Sequence, residues 1–274
     1  FRSTTTPLKK TNTGPIQRLL GVMRRLRDKD HGCPWDIQQT YATIAPFTIE
    51  EAYEVLDSIQ RNDAPGLKDE LGDLLFQVVF LSQIASEEGK FDFDQVAHHI
   101  TEKMIRRHPH VFSKKQYFSE IEQNKNWEDI KQTERESNGN SPSSLSGVAL
   151  ALPALMRAQK LQKRASRQGF DWDEINQVFD KLEEEIDELQ TALDTKNVDN
   201  IKEEIGDLLF TCVNIARHAG IDAEEALREG NDKFISRFSK IEHTAEAKGM
   251  KIPELSSKEL EKLWKLVKTT EKNN

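Results

Sequence analysis

The sequence predicts an all-α fold made of tandem, duplicated helical-bundle domains. Three observations predict it. Apolar residues recur at helical spacing over long stretches, Gly and Pro are sparse, and the second half of the chain repeats the first.

The spacing is clearest in two runs. Between Leu67 and Ala85, Leu67, Leu71, Leu74, Leu75, Val78 and Leu81 recur at helical spacing. Between Ile201 and Ala216, Ile205, Leu208, Leu209, Val213 and Ile215 do the same. No alternating run is long enough to argue for a sheet.

The duplication is read residue by residue. Glu51, Glu54, Glu70 and Asp73 recur as Glu185, Glu188, Glu204 and Asp207, all at an offset of 134, as do Glu50 with Glu184 and Lys68 with Lys202. Gly72-Asp73-Leu74-Leu75-Phe76 returns as Gly206-Asp207-Leu208-Leu209-Phe210. Trp35-Asp36 pairs with Trp172-Asp173, and Trp127 and Lys131 with Trp264 and Lys268, at an offset of 137. Lys103 and Arg107 pair with Lys233 and Arg237 at 130. Such small changes of offset belong in loops. The stretch ESNGNSPSSLSG is polar and contains a Pro, so it reads as a linker. The expected organisation is a poorly ordered segment at 1–14, domains at 15–136 and 148–274, and a linker at 137–147.

Each half then reads as a short helix, a Trp-Asp loop, two acidic helices, a basic helix and a last helix bearing a Trp. In the second half these fall near 150–168, 174–195, 198–218, 222–247 and 256–270.

Composition narrows the function classes. The 274 residues carry a net charge of −8, which disfavours non-specific nucleic-acid binding and leaves acidic groups for hard cations. The two cysteines, Cys33 and Cys212, form neither a disulfide framework nor a thiolate metal site, and a reducing cytoplasm is the simplest compartment. No apolar run approaches the ~18–20 residues of a membrane span. The start, FRSTTTPLKKTNTGP, lacks the apolar region of a secretory signal; without an initial Met it reads as a processed end, a tag remnant or a fragment.

Residues three apart share a helix face, so Glu185 with Glu188, and Glu204 with Asp207, project in pairs from consecutive helices. A short connection makes those helices antiparallel neighbours, and the pairs can converge. Clustered carboxylates repel unless cations sit among them, and oxygen-only ligation favours Mg²⁺ or Mn²⁺. Any single pair would be ordinary surface charge. Two pairs at one interval, present in both halves, outweigh that reading. A di-iron bundle would need Glu-x-x-His motifs, and neither half has one at these positions.

Lys233 and Arg237 lie one turn apart, so both cationic heads can meet one set of phosphates. Trp264 and Trp127 are candidates to stack on a base, although packing in a core suits Trp127 better. Lys268 is one turn beyond Trp264. Lys181 precedes Glu185 by one turn, and its first-half counterpart is Phe47, which makes the second half the better equipped for phosphate. His108 and His110, around Pro109, read as residues just past a helix end, Asn138-Gly139-Asn140 as linker, and Cys33-Pro34-Trp35 as a tight, packed turn.

EEAYEVLDSI, DELGDLLFQVVF, GCPWDIQQT and RRHPHVF resemble the MazG nucleoside triphosphate pyrophosphohydrolases, and so do LPALMRAQKLQKRA, GFDWD, KLEEEIDEL, EEIGDLLFTCVNIARH and NDKFISRF. The resemblance spans about residues 15–270. It implies an all-α NTP pyrophosphatase fold, a homodimer, Mg²⁺ dependence and cleavage between the α and β phosphates to a monophosphate and pyrophosphate. It also implies a broad NTP and dNTP range, activity in the C-terminal half, and a link to nucleotide-pool control and the stringent response. Carried onto this chain, Glu185, Glu188, Glu204 and Asp207 would hold magnesium. Lys181 to Glu185, the stretch Asn200 to Glu203, Lys233, Arg237 and Trp264 would contact nucleotide. Asn200 stands where the family pattern has a Lys, with Lys202 beside it as a replacement or a weaker phosphate contact as the result.

The expected chemistry is in-line attack of water on phosphorus. Lys233, Arg237 and Lys181 would stabilise the leaving pyrophosphate, and Glu184 or Glu203 would take the proton. A base-specific all-α nucleotide diphosphatase and a non-catalytic nucleotide-binding scaffold are the competing readings. The first half keeps four carboxylates and should bind metal. Lacking a Lys181, it is expected to be weak or inactive and to serve dimer assembly.

Overall fold

A computed structural model describes residues 14–112, Glu134 and 143–272. Among these residues the regular structure is helical and there is no strand. Among the described residues no helix is long and apolar enough to cross a membrane. Trp127, Lys131, Asn138-Gly139-Asn140 and the segment 1–13 lie outside the described residues. The chain divides into two compact units, Phe1–Glu134 and Arg135–Asn274.

The first unit holds α1 (Pro15–Leu26), α2 (Pro34–Gln38), α3 (Tyr41–Gln60), α4 (Ala64–Glu87), α5 (Phe93–Arg107) and α6 (Pro109–Phe112). Local chemistry sets the boundaries. Thr40 and Thr43 cap α3 reciprocally, each hydroxyl accepting from the other's backbone N–H. Asp63 caps α4, accepting from the Gly66 N–H at 3.0 Å. α3 and α4 form the central pair, and α1 and α5 pack on α4. Met23, Ile44, Val79, Phe80 and Ile84 close the core. Burying an Ile, Phe or Met side chain of this kind contributes about 1.5–3 kcal/mol.

The second unit holds α7 (Ala154–Ser166), α8 (Ile175–Thr195), α9 (Val198–His218), α10 (Ala223–Ala247), a 3-10 turn at Ile252–Glu254, and α11 (Ser257–Lys272). These match the expected helices to within a few residues. The largest difference is α7, expected from residue 150. It starts at Ala154 because Pro153 disfavours helical backbone in the residue before it. Asn197 caps α9, accepting from Asp199 N–H at 3.1 Å and Asn200 N–H at 3.4 Å. The turn at Lys196–Asn197 folds α9 back onto α8. Two buried glutamines dock α7: Gln159 donates to the Ile221 carbonyl and Gln162 to the Phe210 carbonyl, both at 2.8 Å. Ile241, Leu263 and Val267 make an apolar cluster between α10 and α11.

Of the two Trp-Asp segments, only the first differs from the expected loop. In the first unit Pro34 opens a short helix, since its fixed φ suits a first helical position. Trp35 is 53% exposed, so Cys33-Pro34-Trp35 is not the packed turn expected. The buried Arg27 ties this helix to α4 by donating to the Asp36 and Gln39 carbonyls and to Glu87. In the second unit Trp172-Asp173 is a loop, held by Asp171 against Arg217 and His218 on α9.

Candidate metal and phosphate site

Glu185 of α8 is the centre of the second unit's acidic group. It is only 4% exposed, and among the described residues its Oε2 has no hydrogen-bond partner. Glu185, Glu204 and Asp207 each offer an oxygen within 4.8 Å of the others. Glu188, the fourth residue expected here, lies outside that span, though its charge still bears on Glu204. Burial first, then the charges of Glu188, Asp207, Glu185 and Glu203, push the Glu204 carboxyl above its usual range. A buried acceptor without a donor, beside two more carboxylates and no nitrogen or sulfur ligand, is the donor set of a hard divalent cation. The residues present therefore fit Mg²⁺.

Lys181 reaches into this group. Its Nζ donates to Glu184 Oε1 at 2.6 Å and lies 2.7 Å from Glu185 Oε1. Those two hydrogen bonds hold the ammonium far above the ordinary lysine range, so it keeps its charge. Glu184, Glu203, Lys202 and Asn200 are exposed along the same helix pair.

In the first unit the converging residues are Glu51, Glu54 and Glu70, again with oxygens within 4.8 Å, and Asp73 is the one left out. Burial raises Glu51 most. A hydrogen bond from Gln77 Nε2 at 3.3 Å opposes it, and the charges of Asp73, Glu54 and Glu50 add to it. Burial and Glu54 raise Glu70. Phe47, in the place of Lys181, meets Trp35 edge to face with centroids 6.1 Å apart.

The basic and aromatic residues form a second constellation on α10 and α11. Arg237 donates from Nε to Glu271 Oε2 at 2.8 Å, and its guanidinium lies 5.7 Å from the Trp264 ring centroid. Trp264 also meets Phe234 at 5.7 Å and packs against the Ile241 cluster, so it is part core and part surface. Lys240 donates to the other Glu271 oxygen at 2.6 Å. The two cations hold the Glu271 carboxyl below its usual range. Lys233 and Lys268 are exposed. Among the described residues no hydrogen bond or ion pair joins this group to the carboxylates of α8 and α9.

Sequence reasoning missed Glu271, and the signal was available. Glu134 precedes it by the same 137 residues that separate Trp127 from Trp264. In the first unit Glu134 accepts from Arg107, the counterpart of Arg237, and from Arg106. The Asp171–Arg217–His218 anchor was also missed. It joins residues 46 and 47 apart and has no first-half equivalent, so no repeat pointed to it.

The MazG nucleotide pyrophosphohydrolase domain matches twice, at residues 39–112 and 174–241, once in each unit. Nucleoside triphosphate pyrophosphohydrolase of Escherichia coli (strain K12) is 49% identical over 93% of this chain and 98% of its own length. Nucleoside triphosphate pyrophosphohydrolase/pyrophosphatase MazG of Thermotoga maritima is 41% identical over 92% of this chain and 95% of its own. A crystal structure of a mazG-related protein from Thermotoga maritima covers 42% of this chain and 97% of its own, at 27% identity and a TM-score of 0.37.

Proposed function

The chain belongs to the MazG family, and on that premise we propose that it is an Mg²⁺-dependent enzyme cleaving nucleoside triphosphates between the α and β phosphates, in its second unit. The observation that carries the reading is the buried, unpartnered Glu185 oxygen beside Glu204 and Asp207.

Glu185, Glu204 and Asp207 would hold Mg²⁺, or Mn²⁺ in its place, with Glu188 at the edge. Bound there, the metal neutralises phosphate charge and lowers the pKa of water. The chain's own residues do the rest. Lys181, charged and pinned between Glu184 and Glu185, is a cation able to turn toward an arriving polyphosphate. Lys233, Arg237 and Lys268 supply further positive charge to the departing pyrophosphate. Trp264 offers a ring to the base. Between the two proton acceptors, Glu203 is the freer, because Glu184 already accepts from Lys181.

A homodimer fits the uncovered apolar surface. Ile186, Leu193, Ile205 and Leu209 on α8 and α9 are 41–52% exposed, a pattern that a second copy would cover. The wider reading is a cytoplasmic enzyme of broad NTP and dNTP range in nucleotide-pool control, including the stringent response. A base-specific all-α diphosphatase would show a narrow range, and a scaffold would bind nucleotide without turnover.

The test is product release from a panel of NTPs and dNTPs, with Mg²⁺ and with chelator. Pyrophosphate and monophosphate from many substrates, lost on chelation, is the expected result. Release of orthophosphate alone, or no release, would contradict the reading.

A further inference from the structure

We infer that Glu271 is a positioning residue for Arg237, fixing its guanidinium so that the Nη edge is presented to the substrate's phosphates; the inference rests on the proposed role of Arg237.

The two units support this by contrast. In the first, Glu134 accepts from both Nε and Nη2 of Arg107, at 3.1 and 2.5 Å, and from both Nε and Nη2 of Arg106, at 2.9 and 2.6 Å. The carboxylate engages an Nη group of each arginine. In the second unit Glu271 accepts from Arg237 through Nε alone, at 2.8 Å, and its other oxygen takes Lys240. The described residues show no hydrogen bond to Nη1 or Nη2 of Arg237. The Trp264 ring centroid lies 5.7 Å from the guanidinium carbon.

An arginine carries a planar fork whose two Nη groups match the oxygens of a phosphate, and a fork fixed in advance loses less freedom on binding. A carboxylate on Nε fixes the plane without occupying the Nη edge. Lys240 shares the carboxylate and offsets its charge, which reduces the repulsion Glu271 would exert on an incoming polyphosphate.

The experiment measures KM and kcat for an NTP in the full-length chain. Glu271→Ala should raise KM about tenfold with kcat within about threefold. Glu271→Gln should restore KM to within about threefold of the parent, because its amide oxygen still accepts from Nε. Lys240→Ala, which leaves the Arg237 bond intact but removes the charge that offsets Glu271, should raise KM less than Glu271→Ala does, by about threefold at most. Should Glu271→Ala lose its helical circular dichroism, Glu271→Asp, one methylene short of Nε, carries the same expectation. If Glu271 only repels phosphate, both the Ala and Gln variants will lower KM, and the inference falls. If Glu271→Ala leaves KM unchanged while Arg237→Ala raises it, positioning is wrong and the role of Arg237 stands. If Arg237→Ala changes neither KM nor kcat, that role fails, and the positioning goes with it.

Discussion

The two units carry the same four carboxylates on the same pair of helices, yet different trios converge. In the first, Glu51, Glu54 and Glu70 meet; in the second, Glu185, Glu204 and Asp207 do. The connecting turn is not the cause. Asn62 and Lys196 hold the same place in each half and take the same left-handed conformation, at φ 53 and 55. The difference lies in what touches the carboxylates. Gln77 holds Glu51 in the first unit, while in the second Thr211 replaces that glutamine and Lys181 holds Glu185. Duplication preserved the backbone and the acidic residues. The neighbours diverged, and among the described residues an ion pair to a cluster carboxylate is seen only in the second unit, from Lys181 to Glu185.

Short of removing a cluster carboxylate, the largest effect is expected from making the second unit resemble the first. Lys181→Phe should lower kcat/KM about a hundredfold, the size expected for loss of one charged contact to the phosphates. Steady-state assay at saturating Mg²⁺ checks it. A change of less than threefold would mean that Lys181 is not what separates the halves.

A smaller effect concerns stability. Hydrogen bonds from Arg107 and Arg106 lower the Glu134 carboxyl from 4.5 to about 2. Because its folded pKa is depressed, the unfolded chain takes up the proton first. The stabilisation is therefore complete above pH 4.5 and decays as pH falls toward 2. Its size is about 1 kcal/mol for a pair at the surface. Thermal melts across that window should show a shallower loss in Glu134→Gln than in the parent. Identical pH dependence would remove Glu134 from the account.

Much of this was legible in the sequence. The duplication located both acidic helix pairs, because helical periodicity and a short turn leave few other arrangements. Lys181 opposite Phe47 was visible for the same reason. The exclusion of Glu188 and Asp73 was not, because helical spacing places all four carboxylates on facing helices without fixing which side chains converge. The repeat of Glu134 as Glu271 was legible, but its bond to Arg237 was not, since the two residues are 34 apart and meet only when α11 packs on α10. The exposed Trp35 was misread because a Pro-Trp pair fits a tight turn and a helix start equally well.

The central claim is that only the second cluster supports turnover. Pyrophosphate release from an NTP, in Mg²⁺, by Glu204→Gln and by Glu70→Gln of the full chain tests it most directly. The account predicts at least a thousandfold loss for Glu204→Gln and less than about threefold for Glu70→Gln, both with unchanged helical circular dichroism. Full activity in Glu204→Gln, or an equal loss in Glu70→Gln, would contradict it.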